Sequence, residues 1–323
     1  MLTRFPRLSA RYWRCAATLL LALTVSLASA APRTLDTAFG EVTLTGTPER
    51  VVTLYEGALD AAIAVGVQPV GAIVTRGGNQ VAEYIQPRVG DVQIVGTPGE
   101  TNLEAVIALA PDLILASART TEPQYRLLSR IAPTIVPDVP AFQPDTWKRE
   151  TRLFARALDR AEAGEAAIAR VEARVREVAQ QLDTTLAPDR RDAALVRWMP
   201  QGPLVMSRGL FSASLLQAVG FQVDDAGIVE AGRPHSHPLS HENLAKVDRH
   251  ALFLATLNAD GEQALAAARQ APAFQRLEVA RNHRIVTVNG QLWTSASGPL
   301  AALGILDDIA EALTDGPLAR PMP

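Results

Sequence analysis

The amino-acid sequence predicts an α/β protein of two Rossmann-like lobes joined by one long α-helix, with a ligand cleft between the lobes. Three observations predict it. A phrase of polar cap, glutamate, apolar helical stretch, aspartate and buried apolar strand occurs twice: Thr101-Asn102-Leu103-Glu104 through Pro111-Asp112 to Leu115, and Ser240-His241-Glu242 through Asp248 to Leu254. Short apolar strands alternate with helical patterns in both halves, as in lobes built on largely parallel sheets. Between the halves, residues 146–183 carry Leu153, Phe154, Ala157, Leu158, Ile168, Val171, Val175, Val178 and Leu182 at helical spacing, with no proline before Pro188.

Residues 1–30 read as a secretory signal. Arg4, Arg7, Arg11 and Arg14 give a basic start, Ala16 to Leu27 an apolar run, and Ala28-Ser29-Ala30 a small-residue cleavage site. The run is shorter than the about 20 apolar residues that span a bilayer. An uncleaved anchor is the competing reading, and the polar residues that follow Ala31 oppose it. The single cysteine, Cys15, precedes the apolar run, so it is wrongly placed for lipid attachment and would leave with the signal. A mature chain without cysteine suits an oxidising compartment, here the periplasm.

Hydrophobic residues make up 48% of the 323, enough for two sizeable cores. The formal charge of −3 includes the basic leader, so the mature chain is more acidic still, which argues against nucleic acid or an anionic membrane as partner.

The first lobe, residues 31–145, opens with a hairpin, Thr34–Ala38 and Glu41–Thr45 around Phe39-Gly40. Strand Arg50–Leu54, helix Gly57–Val65 and strand Pro69–Val74 follow, then a Gly77-Gly78 loop and a short strand near Gln93–Val95. Helix Asn102–Leu109, strand Asp112–Ala116, helix Glu122–Ile131 and strand Thr134–Val136 complete it. The spine over 146–183, as one helix, would reach about 55 Å, longer than one lobe needs. Gly164 inside it marks a bend or a break; the competing reading is two separate helices. The second lobe, residues 184–323, has strands Ala193–Met199, Leu204–Ser207, Ala251–Leu257 and Arg284–Val288. Its helices are Ser212–Val219, His241–Val247, segments from Glu262 to Leu277, and Leu300–Leu313.

Several pieces together resemble the ferric-siderophore periplasmic binding proteins of ABC importers, the ferric-citrate type in particular. They are Thr47-Pro48-Glu49-Arg50-Val51-Val52, Gly66-Val67-Gln68-Pro69-Val70-Gly71, Val95-Gly96-Thr97-Pro98 with Asn102-Leu103-Glu104, Pro111-Asp112-Leu113-Ile114, and Leu216 to Gly220-Phe221. They run in family order from about residue 34 to about residue 313. The resemblance implies a helical-backbone binding protein that closes only modestly, takes a ferric siderophore as ligand, needs no cofactor, acts as a monomer and delivers to an inner-membrane ABC permease.

Ligands of open α/β sheets bind outside the carboxyl ends of the strands. Tyr55, Arg76, Arg119, Arg197, Trp198 and Arg208 stand at such positions. Guanidinium forks pair bidentately with the hard oxygen anions that a ferric carboxylate or catecholate chelate presents. Arg119 also falls where the resembled type carries an arginine in a Ser-x-Arg stretch, and Trp293 matches a tryptophan of that type as an apolar wall.

In His235-Ser236-His237-Pro238-Leu239-Ser240-His241 the imidazoles are dense, but Pro238 breaks any helix face and no second zinc-ligand cluster is apparent. His235 or His237 is better read as a cleft residue that donates to an anionic ligand or contacts iron directly, and His241 as part of a helix cap. Glu104 and Glu242 sit in first helical turns, where a carboxylate is stabilised by about 0.3–1 kcal/mol. In the resembled family the matching glutamates, one per lobe, dock arginines of the permease. The chain has no G-x-G-x-x-G after a strand and no G-x-x-x-x-G-K-S/T, G-x-S-x-G or H-E-x-x-H, so no enzyme chemistry is announced. The competing function is a haem, cobalamin or zinc binder of similar fold; an aromatic content of 5% speaks against the first two.

Overall fold

The computed structural model describes residues 32–140 and 143–319; the predicted leader, with Cys15 and the cleavage site at Ala30, lies outside them. Arg33–Thr37 and Gly40–Leu44 form the expected antiparallel hairpin. It turns at Gly40, whose φ of 101° is a conformation that a Cβ would strain.

Five parallel strands build the first sheet, in the order Gln93–Ile94, Gly71–Ala72, Val51–Thr53, Leu113–Leu115, Thr134–Ile135. Apart from the edge strand Gln93–Ile94 they are buried on both faces, which is why they read as apolar runs rather than alternations. The second sheet runs Gly202–Val205, Asp192–Met199, Ala251–Thr256, Ile285–Asn289, its first pair antiparallel and the others parallel. Along Asp192–Met199, Ala193 and Leu195 face the layer that holds the long helices, while Ala194, Val196 and Trp198 face the opposite layer with Leu265 and Phe274.

The long helix expected between the lobes is Ala161–Thr185, so the spine over 146–183 is not continuous: a shorter helix, Thr146–Ala157, precedes it. Thr146–Ala157 and Ala161–Thr185 are separated at Leu158–Arg160, where Asp159 adopts a left-handed φ of 59°. Gly164 does not interrupt its helix. A Cβ there would lie 2.5 Å from the Ala155 side chain, so glycine lets the two helices cross closely. The first helix seats Phe154, Ala155 and Ala157 in the first-lobe core, with Leu158 just after it, and Trp147 in the second-lobe core. The second, with 25 residues and roughly 37 Å long, gives Ile168, Val171, Val178 and Leu182 to the second-lobe core.

The repeated phrase is a repeated device. Asp112 accepts hydrogen bonds from the backbone N–H of Glu49 (2.8 Å) and Arg50 (3.0 Å), and Asp248 accepts from those of Glu278 (2.8 Å) and Val279 (2.9 Å). Each aspartate, just before a central strand, fastens a neighbouring segment to it. The helices differ: Leu103–Ala108 is an α-helix capped by Asn102, whose side chain accepts from Ala105 N–H, whereas His241–Val247 is a 3-10 helix rather than the expected α-helix.

A polar seam holds the lobes together along one side. Asp60, fully buried on helix Glu56–Ala64, accepts from the N–H groups of Leu300 (2.9 Å) and Ala301 (2.8 Å), which open the second-lobe helix Pro299–Thr314. It also accepts from the Tyr84 hydroxyl at 2.9 Å. Burial pushes its carboxyl up to about 7, against the pull of those three donors. Nearby, Asn289 donates to the Glu83 carboxylate (2.9 Å), and Gln291 accepts from Glu83 N–H (3.3 Å).

Candidate ligand-binding cleft

The carboxyl ends of both sheets enclose a cleft of about 510 Å³. From the first lobe it is lined by Tyr55, Arg76 and Arg119, each on the loop after a strand, as the topology of α/β sheets requires. The second lobe contributes Arg197 from the end of Asp192–Met199, Phe211 and Ser214, His235, and the run Thr294–Ser297. Helix Thr146–Ala157 adds Trp147 and Glu150.

Arg197 is 7% exposed, yet no carboxylate pairs with it among the described residues. One of its terminal nitrogens donates to Thr294 Oγ1 at 3.4 Å, and its Nε is buried without a partner. Desolvation, with a smaller contribution from the Arg76 charge, lowers its pKa to about 10. Arg76 is held at its base, its N–H donating to Glu56 Oε1 at 3.0 Å; burial pushes the Glu56 carboxyl upward. The Arg119 loop is tightened by its N–H donating to Ser117 Oγ at 3.1 Å.

His235 is placed by an extra rung on the edge strand: Ser207 N–H donates to Pro234 O and Ser236 N–H to Val205 O, each at 2.9 Å. Its Nδ1 lies 2.8 Å from Ser236 O. A carbonyl only accepts, so Nδ1 is the donor in this contact and Nε2 is the ring nitrogen it leaves unused.

Tyr55 and Glu150 face each other across the cleft floor, the phenol donating to Glu150 Oε2 at 3.4 Å. Burial, and then the Glu150 charge, push the Tyr55 phenol well up; burial pushes the Glu150 carboxyl to about 7.

The structure therefore brings together Tyr55, Arg76, Arg119, Arg197 and His235, and leaves out four of the expected residues. Trp198 follows Arg197 on a strand and points to the other layer, edge-on to Phe274 with ring centroids 5.9 Å apart. Trp293 is a core residue in the short helix Gly290–Thr294: it stacks on Phe253 at 5.1 Å, and its Nε1 donates to Asp308 at 2.7 Å. Arg208 is exposed outside the cleft, its N–H near Asp225 (3.5 Å) and its carbonyl accepting from Gln217 (2.7 Å). His237 is exposed, 3.9 Å from Glu230, and diverges from His235.

The residues missed are Glu150 and Glu56, Trp147, and the Thr294–Ser297 run. A signal for Glu150 existed, since it shares a helical stripe with Trp147, Thr151 and Phe154 and so puts an acid on a buried face.

Glu104 and Glu242 are both exposed, away from the cleft, in the first turns of their helices. Among the described residues no helix is long and apolar enough to cross a membrane, and no group of three or more metal-ligating side chains occurs.

Two α/β lobes bridged by helices, with a cationic cleft at the carboxyl ends of both sheets, define a solute-binding protein of the helical-backbone class. The chain belongs to the periplasmic binding protein family, which it matches over residues 51–292. Among its relatives is the achromobactin-binding periplasmic protein of Dickeya dadantii, 28% identical over 275 residues, covering 81% of this chain and 86% of the relative. The Fe(3+) dicitrate-binding periplasmic protein FecB of Escherichia coli is 26% identical over 310 residues, covering 92% and 95%. Among solved structures, Staphylococcus aureus SirA complexed with staphyloferrin B superposes with a TM-score of 0.76 at 26% identity, covering 87% of this chain and 98% of that one.

Proposed function

We propose that this protein is a non-enzymatic periplasmic carrier that captures an anionic ferric siderophore in the cleft and delivers it to an inner-membrane ABC permease. The observation that carries the reading is Arg197. A guanidinium this buried, without a carboxylate, costs the empty protein stability, and an anionic oxygen ligand would relieve that cost. Arg76 and Arg119 reach the same cleft from the other lobe, so a bound chelate is gripped from both sides. His235, with Nδ1 engaged by Ser236 O, offers its Nε2 to an anionic group of the chelate or to an unsaturated position on the iron.

Glu104 and Glu242 support the delivery step. Each is exposed, one per lobe, and a pair of fixed rim charges sets docking register and on-rate more than affinity.

Titration of the mature protein, followed by tryptophan fluorescence, tests the reading, because Trp147 lines the cleft. The panel is ferric citrate, a ferric hydroxamate, a ferric catecholate, haemin, cobalamin and zinc. Saturation below micromolar concentration by one ferric chelate is expected. Silence toward every chelate, or a response confined to haemin, cobalamin or zinc, would overturn it.

A further inference from the structure

A cleft built for an anion has no evident need of a second buried acid, yet Glu150 lines it and is only 6% exposed. Glu56, the other acid there, fixes the Arg76 loop through Oε1, which accepts from Arg76 N–H, while its Oε2 is buried without a partner. Glu150 has no such duty. Its recorded hydrogen-bond partner is the Tyr55 hydroxyl, at a long 3.4 Å, which leaves most of its accepting capacity unused.

The cations on its own helix are engaged elsewhere. Lys148 pairs with Asp145 (2.9 Å) and Glu172 (2.8 Å), Arg149 donates to Asp138 O, Arg152 pairs with Glu165, and Arg156 donates to Thr34 O. The ionisable groups that share its cleft are Tyr55, Glu56, Arg76 and Arg119 from the first lobe and Arg197 and His235 from the second. None of Arg76, Arg197 and His235 forms an ion pair with Glu150 among the described residues.

Resting on the ferric-chelate reading above, we infer that Glu150 is a specificity-determining residue that accepts a hydrogen bond from a protonated amine on the chelate. The ligand class is then narrower than an anionic ferric complex: it is a zwitterionic one, with anionic oxygens toward Arg197, Arg76 and Arg119 and an ammonium group toward helix Thr146–Ala157. The site's buried acid then has the same logic as its buried guanidinium, each held by a neutral hydroxyl until the ligand brings the opposite charge. An ammonium also favours the ionised carboxylate, so affinity for such a chelate rises with pH through the range in which burial holds Glu150 protonated.

Two probes that differ only at the amine test this: the ferric complexes of the citric acid mono-amide of ethylenediamine, with the terminal amine free or acetylated. Their affinities for the mature protein are measured at pH 5.5 and pH 8, and for Glu150→Gln at both. The free amine is expected to bind about tenfold more tightly than the acetylated form at pH 8, the size of one charge-assisted hydrogen bond, and less so at pH 5.5. In Glu150→Gln the ratio should fall to near one at both pH values, which separates the effect from any titration of His235, retained in that variant.

The wild-type ratio and its pH trend decide the matter even if the variant folds poorly. A ratio near one in the wild type overturns the inference, and so does a ratio that falls as pH rises, the reverse of what an ionising carboxylate does for an ammonium. Binding of both probes without discrimination sinks the amine assignment alone; binding of neither sinks the ferric-carboxylate reading as well.

Discussion

Replacing Arg197 by methionine should make the empty protein more stable while crippling it as a carrier. Methionine keeps most of the apolar stem and removes the charge. Burial lowers the guanidinium's pKa to about 10, and at ~1.36 kcal/mol per pKa unit the fall from its ordinary value is worth about 3 kcal/mol. The folded-state pKa is the depressed one, so the unfolded chain holds the proton more readily and the whole penalty is present at every pH below about 10. Part of it is returned when the Thr294 hydrogen bond is lost, so the expected gain is about 1–3 kcal/mol, a rise of roughly 2–8 °C in the midpoint of the apo protein. Chelate affinity should fall at least about 30-fold, the cost of removing one member of a buried charge pair. The assay is thermal unfolding with and without saturating chelate: the variant should start higher and gain less. An apo variant no more stable than the wild type would show Arg197 to be an internal strut, and the argument from an uncompensated charge would fail.

Three further outcomes are expected. Because the Glu150 carboxyl is raised to about 7 in the fold, the native protein holds a proton there that the unfolded chain has released, so this group's stabilisation is present in acid and is lost as pH climbs from about 4.5 through 7. Denaturant unfolding between pH 5 and 8 should show Glu150→Gln removing a decline of about 2–3 kcal/mol; parallel profiles would contradict the burial argument. Gly164→Val places a side chain where a Cβ already meets Ala155 at 2.5 Å, and should cost at least about 1–3 kcal/mol by forcing the two bridging helices apart. Glu104→Arg or Glu242→Arg should abolish uptake in cells and leave chelate affinity in the purified protein as it was; weakened binding in either would remove the docking role.

The layered alternation of strands and helices was legible because each element carries its own period, and the strand exits were legible because topology fixes where α/β sheets bind. Side-chain direction was less legible. Arg197 and Trp198 are neighbours on one strand, where successive residues face opposite layers, so both could not line the cleft. Trp293 was misplaced for a different reason: the chain turns at Asn289, whose side chain accepts from the N–H groups of Gln291 and Leu292 and starts a short helix that rolls the indole into the core. Nothing local in the sequence distinguishes that helix from a loop. The break at Asp159 was hidden similarly, because a left-handed residue followed by a good helix former leaves the apolar spacing nearly in phase on both sides. The seam is the least legible feature of all, since Asp60 and its backbone partners at Leu300 and Ala301 lie 240 residues apart and carry no sequence pattern that links them.

That seam bears on traffic at the membrane. If the Asp60 seam holds in both the empty and the loaded form, the silhouette changes little between them, and a ligand shifts a conformational equilibrium only by its differential affinity for the two states. Empty carriers would then queue at the same receptor face as loaded ones. Under the docking reading, import is governed by the ratio of the two forms in the compartment, and overproducing the carrier when its chelate is scarce slows delivery instead of speeding it.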